Sequence, residues 1–218
     1  MDIGVKICKF WLDILLFAFM VSVIPSFKEK KIPANGLLLA SNHFSNLDPP
    51  LIFYTYPEMV SIVSKKEILD LPFIGWLFRD LGTIRINRQA FGQSTLKAIT
   101  ERLAERNVLL FPEGTRSLDG EIKNGKPGFG YLVQKLRIPV MPLYIDSFSI
   151  LPKKHFLPAP GTVKINFGKI LTFEEISAKI GCRDEKESYQ EITHLIMEEI
   201  RNLRDESKSN SDGGGKLN

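Results

Sequence analysis

Residues 37–50 read Leu-Leu-Leu-Ala-Ser-Asn-His-Phe-Ser-Asn-Leu-Asp-Pro-Pro. The apolar run 37–40 reads as a short strand. His43 stands just past its end, where a side chain is well placed to face a cleft, and Asp48 follows five residues later. On one straight helix an i, i+5 pair lies about 140° apart, so the two side chains meet only across a turn. Ser45 and Asn46 supply turn-prone residues, and Pro49 suits the first turn of a following helix. A carboxylate bonded to one imidazole nitrogen fixes the tautomer and stabilises the imidazolium, leaving the other nitrogen as a general base. The competing reading is a helix capped by Asp48 beside an unrelated surface histidine.

Along the rest of the chain, short apolar runs alternate with longer amphipathic ones. Strands are expected at 37–40, 59–63, 83–86, 108–111, 140–145 and 163–167. Leu96, Ile99 and Leu103 share a helical face within 93–106, and Phe129, Leu132, Val133 and Leu136 show similar spacing. A last helix, 185–204, places Tyr189, Ile192, Ile196, Ile200 and Leu203 on one face. Alternating strands and helices predict an α/β layered domain. Residues 207–218 are polar and Gly-rich and are expected to be disordered. The expected division is an N-terminal membrane-associating segment, 1–31, a domain over 32–206, and that tail.

The 218 residues suffice for one domain with a sizeable core. A hydrophobic content of 44% and a charged content of 25% exclude wholesale disorder. A net charge of +4 favours an anionic partner. Cys8 and Cys182 are far apart and show no metal-ligand spacing, so they read as thiols of a reducing compartment, with no structural zinc.

Residues 10–24, FWLDILLFAFMVSVI, are apolar except for Asp13 and Ser22. As a helix they span roughly 22 Å, short of a hydrocarbon core of about 30 Å. Asp13 interrupts the apolar centre and no A-x-A site follows, which argues against a signal peptide. Lys6 and Lys9 precede the run and Lys28, Lys30 and Lys31 follow it. That pattern predicts a helix lying in or dipping into an anionic membrane surface.

A second constellation, Phe111-Pro112-Glu113-Gly114-Thr115-Arg116-Ser117, again follows a strand. Pro112 and Gly114 shape a tight loop, Thr115 and Ser117 offer hydroxyls, and Arg116 offers a planar fork for a phosphate. Glu113 reads as paired with Arg116 at the surface, and it could also hold the arginine in position for a ligand; the two roles are compatible.

Taken with Gly82-Thr83-Ile84-Arg85-Ile86-Asn87-Arg88 and Ile138-Pro139-Val140-Met141-Pro142, these segments resemble the four ordered blocks of the glycerolipid acyltransferases. The resemblance to the 1-acyl-sn-glycerol-3-phosphate (lysophosphatidate) acyltransferase family covers roughly 37–145. The linking segments 64–68 and 71–76 are similar as well, and Lys126-Pro127-Gly128-Phe129-Gly130 matches a stretch of many bacterial members. It implies a mixed twisted sheet surrounded by helices, with a short N-terminal membrane-binding helix. It further implies a membrane-associated enzyme of the cytoplasmic face that moves a fatty acyl group from acyl-CoA or acyl-carrier protein to the sn-2 hydroxyl of lysophosphatidate. No cofactor and no metal is implied, and no nucleic-acid partner.

By the same resemblance, His43 is the general base, Asp48 orients it, and the hydroxyl attacks the thioester with no covalent enzyme intermediate. Arg88, Glu113, Gly114, Thr115 and Arg116 would hold the glycerol phosphate, and Lys65 would stabilise the thioester oxyanion. Pro139 and Pro142 would shape a strand beside the acyl tunnel. Rival readings are a remodelling enzyme with another headgroup, a thioesterase, and a non-catalytic lipid-binding protein on the same scaffold. Arg85 departs from the apolar residue of many relatives and reads as an extra phosphate contact or an outward strand residue. Gly120-x4-Gly125-Lys126 imitates a nucleotide-binding loop, but Pro127 stands where Ser or Thr is needed. His155 and His194 have no paired acids or cysteines at ligand spacing and read as surface or core residues and not as catalytic ones.

Overall fold

The computed structural model describes residues 3–65, 83–86, 93–151, 157–181 and 184–212. Arg88, most of the linking segments, His155 and Cys182 lie outside the described residues. The elements run α1 (Ile3–Ala18), β1 (Val21–Phe27), β2 (Leu38–Ser41), α2 (Asp48–Thr55), β3 (Val60–Lys65) and β4 (Ile84–Ile86). They continue with α3 (Gln93–Glu105), β5 (Asn107–Leu110), α4 (Pro127–Leu136), β6 (Val140–Ile145), β7 (Gly161–Phe167), α5 (Phe173–Ile180) and α6 (Glu185–Asp212).

The described strands form one mixed sheet in the order β1-β7-β6-β2-β5-β3-β4. From β6 to β4 neighbours pair in parallel; β7 runs antiparallel to β6, and β1 joins β7 in parallel. β2 lies in the middle, with Leu38 opposite Val108 on one side and Val140 on the other. Because strand side chains alternate between faces, Leu37 and Leu39 pack with Leu51, Ile52 and Phe53 of α2. Leu38 and Ala40 pack instead with residues of α3, α4 and α6, such as Ile99, Leu132 and Ile196. Leu37, Leu38 and Leu39 are fully buried. Each stabilises the fold by about 2 kcal/mol relative to exposure. Helices thus cover both faces, α1 and α2 one and α3 to α6 the other.

The N-terminal apolar run departs from expectation. It is not one helix over 10–24: α1 ends at Ala18, Met20 takes a positive φ of 51°, and Val21 opens β1. Val21, Val23 and Ile24 favour strand, Pro25 cannot extend a helix interior, and β7 offers an edge to pair with. As a terminal strand, β1 tolerates Pro25. Asp13, the acid inside the apolar run, accepts a hydrogen bond from the Tyr54 hydroxyl of α2.

α6 also exceeds expectation, running to Asp212 and into the stretch read as a disordered tail. Once a helix is nucleated, each added residue costs little. Lys28 ties this end down through Glu206 at 2.6 Å. α5 was not foreseen, although its Thr172 and Glu175 form a reciprocal capping box.

α4 and α6 cross closely at Gly130, whose N–H donates to Thr193 Oγ1 at 3.0 Å. A Cβ at this position would fall 1.9 Å from the Tyr189 carbonyl oxygen. Gly130→Ala should therefore lower the unfolding free energy by about 3 kcal/mol, measured by urea denaturation. Unchanged stability would mean that the two helices are not in this contact.

Candidate active site

Three loops leave the C-terminal ends of β2, β5 and β6, the end of a parallel sheet where ligands bind. Asn42 locks the first to the third: its Nδ2 donates to Ile145 O and its Oδ1 accepts from Ile145 N, both at 2.9 Å. His43 follows. The chain then turns, with Asp48 N donating to Ser45 O at 3.3 Å and Leu47 N to Ser45 Oγ at 3.1 Å. Asp48 opens α2, and Pro49 occupies the first turn.

The turn brings His43 and Asp48 together. His43 Nδ1 lies 2.8 Å from Asp48 Oδ2. The same oxygen accepts the N–H groups of Phe44 and Ser45, at 2.7 and 2.8 Å. The Ser147 hydroxyl, from the loop after β6, donates to Asp48 Oδ1. With the carboxylate fully buried and acting only as an acceptor, the shared proton belongs on Nδ1, leaving Nε2 as acceptor. Asp48 does not cap α2, as the competing reading had it: Leu47 stands at the N-cap with no side-chain cap hydrogen bond, and the amides that Asp48 accepts belong to the turn before the helix.

The loop after β5 supplies the rest of the setting. The Phe111 ring stacks on the His43 imidazole, with centroids 4.0 Å apart and planes 20° from parallel. Glu113 accepts the His43 N–H at 3.0 Å through Oε1 and the Lys123 N–H at 3.3 Å through Oε2. Ser117 N donates to His43 O at 2.8 Å. Glu113 is only 2% exposed. Burial pushes its carboxyl up from 4.5 to about 7, against the opposing pull of its two backbone hydrogen bonds.

Glu113 therefore does not hold Arg116, as one reading of the sequence had it: both of its oxygens face backbone amides. Arg116 is half-buried and has no ion-pair partner among the described residues, and Thr115 is exposed. Gly114 adopts φ 68°, and a Cβ there would stand 3.2 Å from the aliphatic chain of Lys126. Lys65 is the last residue of β3, in register with Ile86, and Arg85 is in register with Ser64. His194 is exposed on α6, 3.9 Å from Glu198. Reading the sequence alone missed the roles of Ser147, Asn42 and Phe111. Ser147 lies in a loop with no motif of its own, whereas the other two stand inside segments already singled out.

The model of the family described as Acyltransferase matches residues 24–146, more than half of the chain. The chain belongs to this family. It is 30% identical over 162 residues to the 1-acyl-sn-glycerol-3-phosphate acyltransferase of Cocos nucifera, covering 71% of this chain and 50% of that one. With 1-acyl-sn-glycerol-3-phosphate acyltransferase beta of Homo sapiens the identity is 31%, over 61% of this chain and 50% of the relative. With the Helicobacter pylori 1-acyl-sn-glycerol-3-phosphate acyltransferase it is 34%, over 54% and 52%. The chain spans about half the length of these curated relatives. The crystal structure of the 1-acyl-sn-glycerophosphate acyltransferase PlsC from Thermotoga maritima shares the fold, with a TM-score of 0.72 at 22% identity. It covers 92% of this chain and 79% of that one.

The raised Glu113 carboxyl has a consequence for stability. The folded chain holds this proton more tightly than the unfolded one, so the contribution is full below pH 4.5 and disappears as pH rises to about 7. Between those limits wild type should lose about 3 kcal/mol relative to Glu113→Gln, which does not titrate. Parallel stability curves for the two proteins, from denaturant titrations across that range, would contradict the buried placement.

Proposed function

We propose that the protein transfers an acyl group from a thioester of coenzyme A or acyl-carrier protein to the sn-2 hydroxyl of lysophosphatidate, giving phosphatidate. The observation that carries this reading is the His43 imidazole, bound through Nδ1 to the buried Asp48, within the segment that matches the acyltransferase family.

In this reading Nε2 of His43 takes the proton of the acceptor hydroxyl as its oxygen attacks the thioester carbonyl. Asp48 stabilises the imidazolium as it forms. The tetrahedral oxyanion is met by Lys65. On collapse the carbon–sulfur bond breaks, and the imidazolium returns its proton to the departing thiolate. No acyl group passes through the enzyme. Arg116, which has no ion-pair partner among the described residues, and Arg88 supply planar forks for the phosphomonoester, with Gly114 and Thr115 shaping the loop.

The same reading places the protein on a membrane surface. Phe10, Trp11, Phe17 and Met20 around α1 and Ile24 of β1 are exposed. Such a surface, with Lys6 exposed on the same helix, suits immersion in the headgroup region of anionic lipid. No helix among the described residues is long and apolar enough to cross a membrane.

The test is kinetic, with lipid mass spectrometry of the products. His43→Ala should retain its fold and lose about a thousandfold or more in turnover, the range of a general base. Wild type should favour lysophosphatidate over lysophosphatidylcholine by about tenfold or more, the value of one charge-assisted contact. Near wild-type turnover in folded His43→Ala overturns the mechanism. Equal kcat/KM for the two acceptors replaces the phosphomonoester assignment with a remodelling enzyme of another headgroup.

A further inference from the structure

We infer that Glu113 is a positioning residue, a backbone clamp on His43, and that it does not bind the acceptor headgroup. The inference rests on His43 being the base of the proposed transfer.

Two observations carry it. The Glu113 side chain faces inward and is almost wholly buried, and both carboxylate oxygens are already occupied by the N–H groups of His43 and Lys123. In addition, His43 is grasped by one loop at both backbone polar groups, its N–H by Glu113 and its carbonyl by Ser117 N. The backbone grip fixes where the Cα–Cβ bond of His43 points. Phe111 beneath the ring and Asp48 at its edge then fix the two side-chain torsions. Without the grip, the Asp48 contact orients an imidazole whose root is free to shift.

The chemistry of the clamp is specific. Once ionised, the Glu113 carboxylate presents two acceptors to the two N–H donors of His43 and Lys123. In Glu113→Gln the amide nitrogen would face one of those donors with a donor of its own, and one backbone N–H would be left unpaired. A ligand of the headgroup and a clamp on the base differ in what they do to kinetics. Loss of a ligand weakens binding of the acceptor, whereas loss of a clamp misplaces the base and slows chemistry on acceptor that still binds.

The experiment has two arms. In the first, Glu113→Gln is assayed with lysophosphatidate and acyl-CoA, with rates referred to the folded fraction. We expect kcat to fall by about a hundredfold, the usual effect of a displacement near 1 Å. KM for lysophosphatidate should stay within about threefold of wild type. A rise of about tenfold in that KM at unchanged kcat, or no change in either constant, overturns the clamp. The second arm needs no variant and so stands even if Glu113→Gln does not fold. Amide hydrogen exchange of His43 in the wild-type protein, read by NMR, should be slow without lipid and equally slow with saturating lysophosphatidate. Release of the amide by lysophosphatidate would show Glu113 leaving His43 for the headgroup and would overturn the inference. A wild-type protein with no transfer activity overturns the acyl-transfer reading instead, and the exchange measurement then decides the clamp by itself.

Discussion

Between His43 Nδ1 and Asp48 Oδ2 there is a separation of 2.8 Å and a chain separation of five residues. No regular element brings such a pair together, so everything around it must hold a turn in place. The Ser45 hydroxyl and carbonyl hold its interior. Asn42 fastens its near end to β6, and the start of α2 fixes its far end. Ser147 and two backbone amides complete the shell of Asp48, so the buried charge has partners on every side described. A buried carboxylate without such partners would cost several kcal/mol.

That local arrangement depends in turn on the sheet. β2 ends where β5 and β6 end because all three run parallel and in register, so their outgoing loops converge on one small region. The core is split by the sheet into two clusters, and β2 contributes to both. A residue removed from β2 would therefore disturb packing on two faces at once and shift the root of His43. α1 and β1 complete one of those faces through Cys8, Leu16 and Val21. They leave a second apolar surface, formed by Phe10, Trp11, Phe17 and Met20, turned to the outside.

Much of this was legible in the sequence. The central strands are short apolar runs bounded by turn residues, and they fall within one or two residues of where 37–40, 108–111 and 140–145 place them. The meeting of His43 and Asp48 across a turn was legible too, since the five-residue spacing left no other way for them to touch. β1 was not legible, because Val21 to Ile24 continue an apolar helical run and their partner lies at 161–167. The real partners of Glu113 were hidden for a related reason. Arg116 stands three residues away and suggests a local ion pair, while the His43 amide that it binds is 70 residues distant in the chain. Ser147 has no sequence signal at all; only the convergence of β2 and β6 reveals it. Long-range pairings of this kind carry no trace in local composition.

The site and the exposed apolar surface of α1 are linked through α2. Asp48 opens that helix near the imidazole, and Tyr54 reaches Asp13 of α1 near its end. In the proposed reading the acceptor is a lipid of the membrane that α1 meets. The central claim is that the hydroxyl of such a lipid, activated by His43, attacks the thioester in one step. Thiol release from acyl-CoA, followed together with phosphatidate formation in the presence and absence of lysophosphatidate, tests it most directly. The account predicts release that depends on lysophosphatidate and matches phosphatidate mole for mole. Release at the same rate without acceptor, yielding free fatty acid, would contradict it.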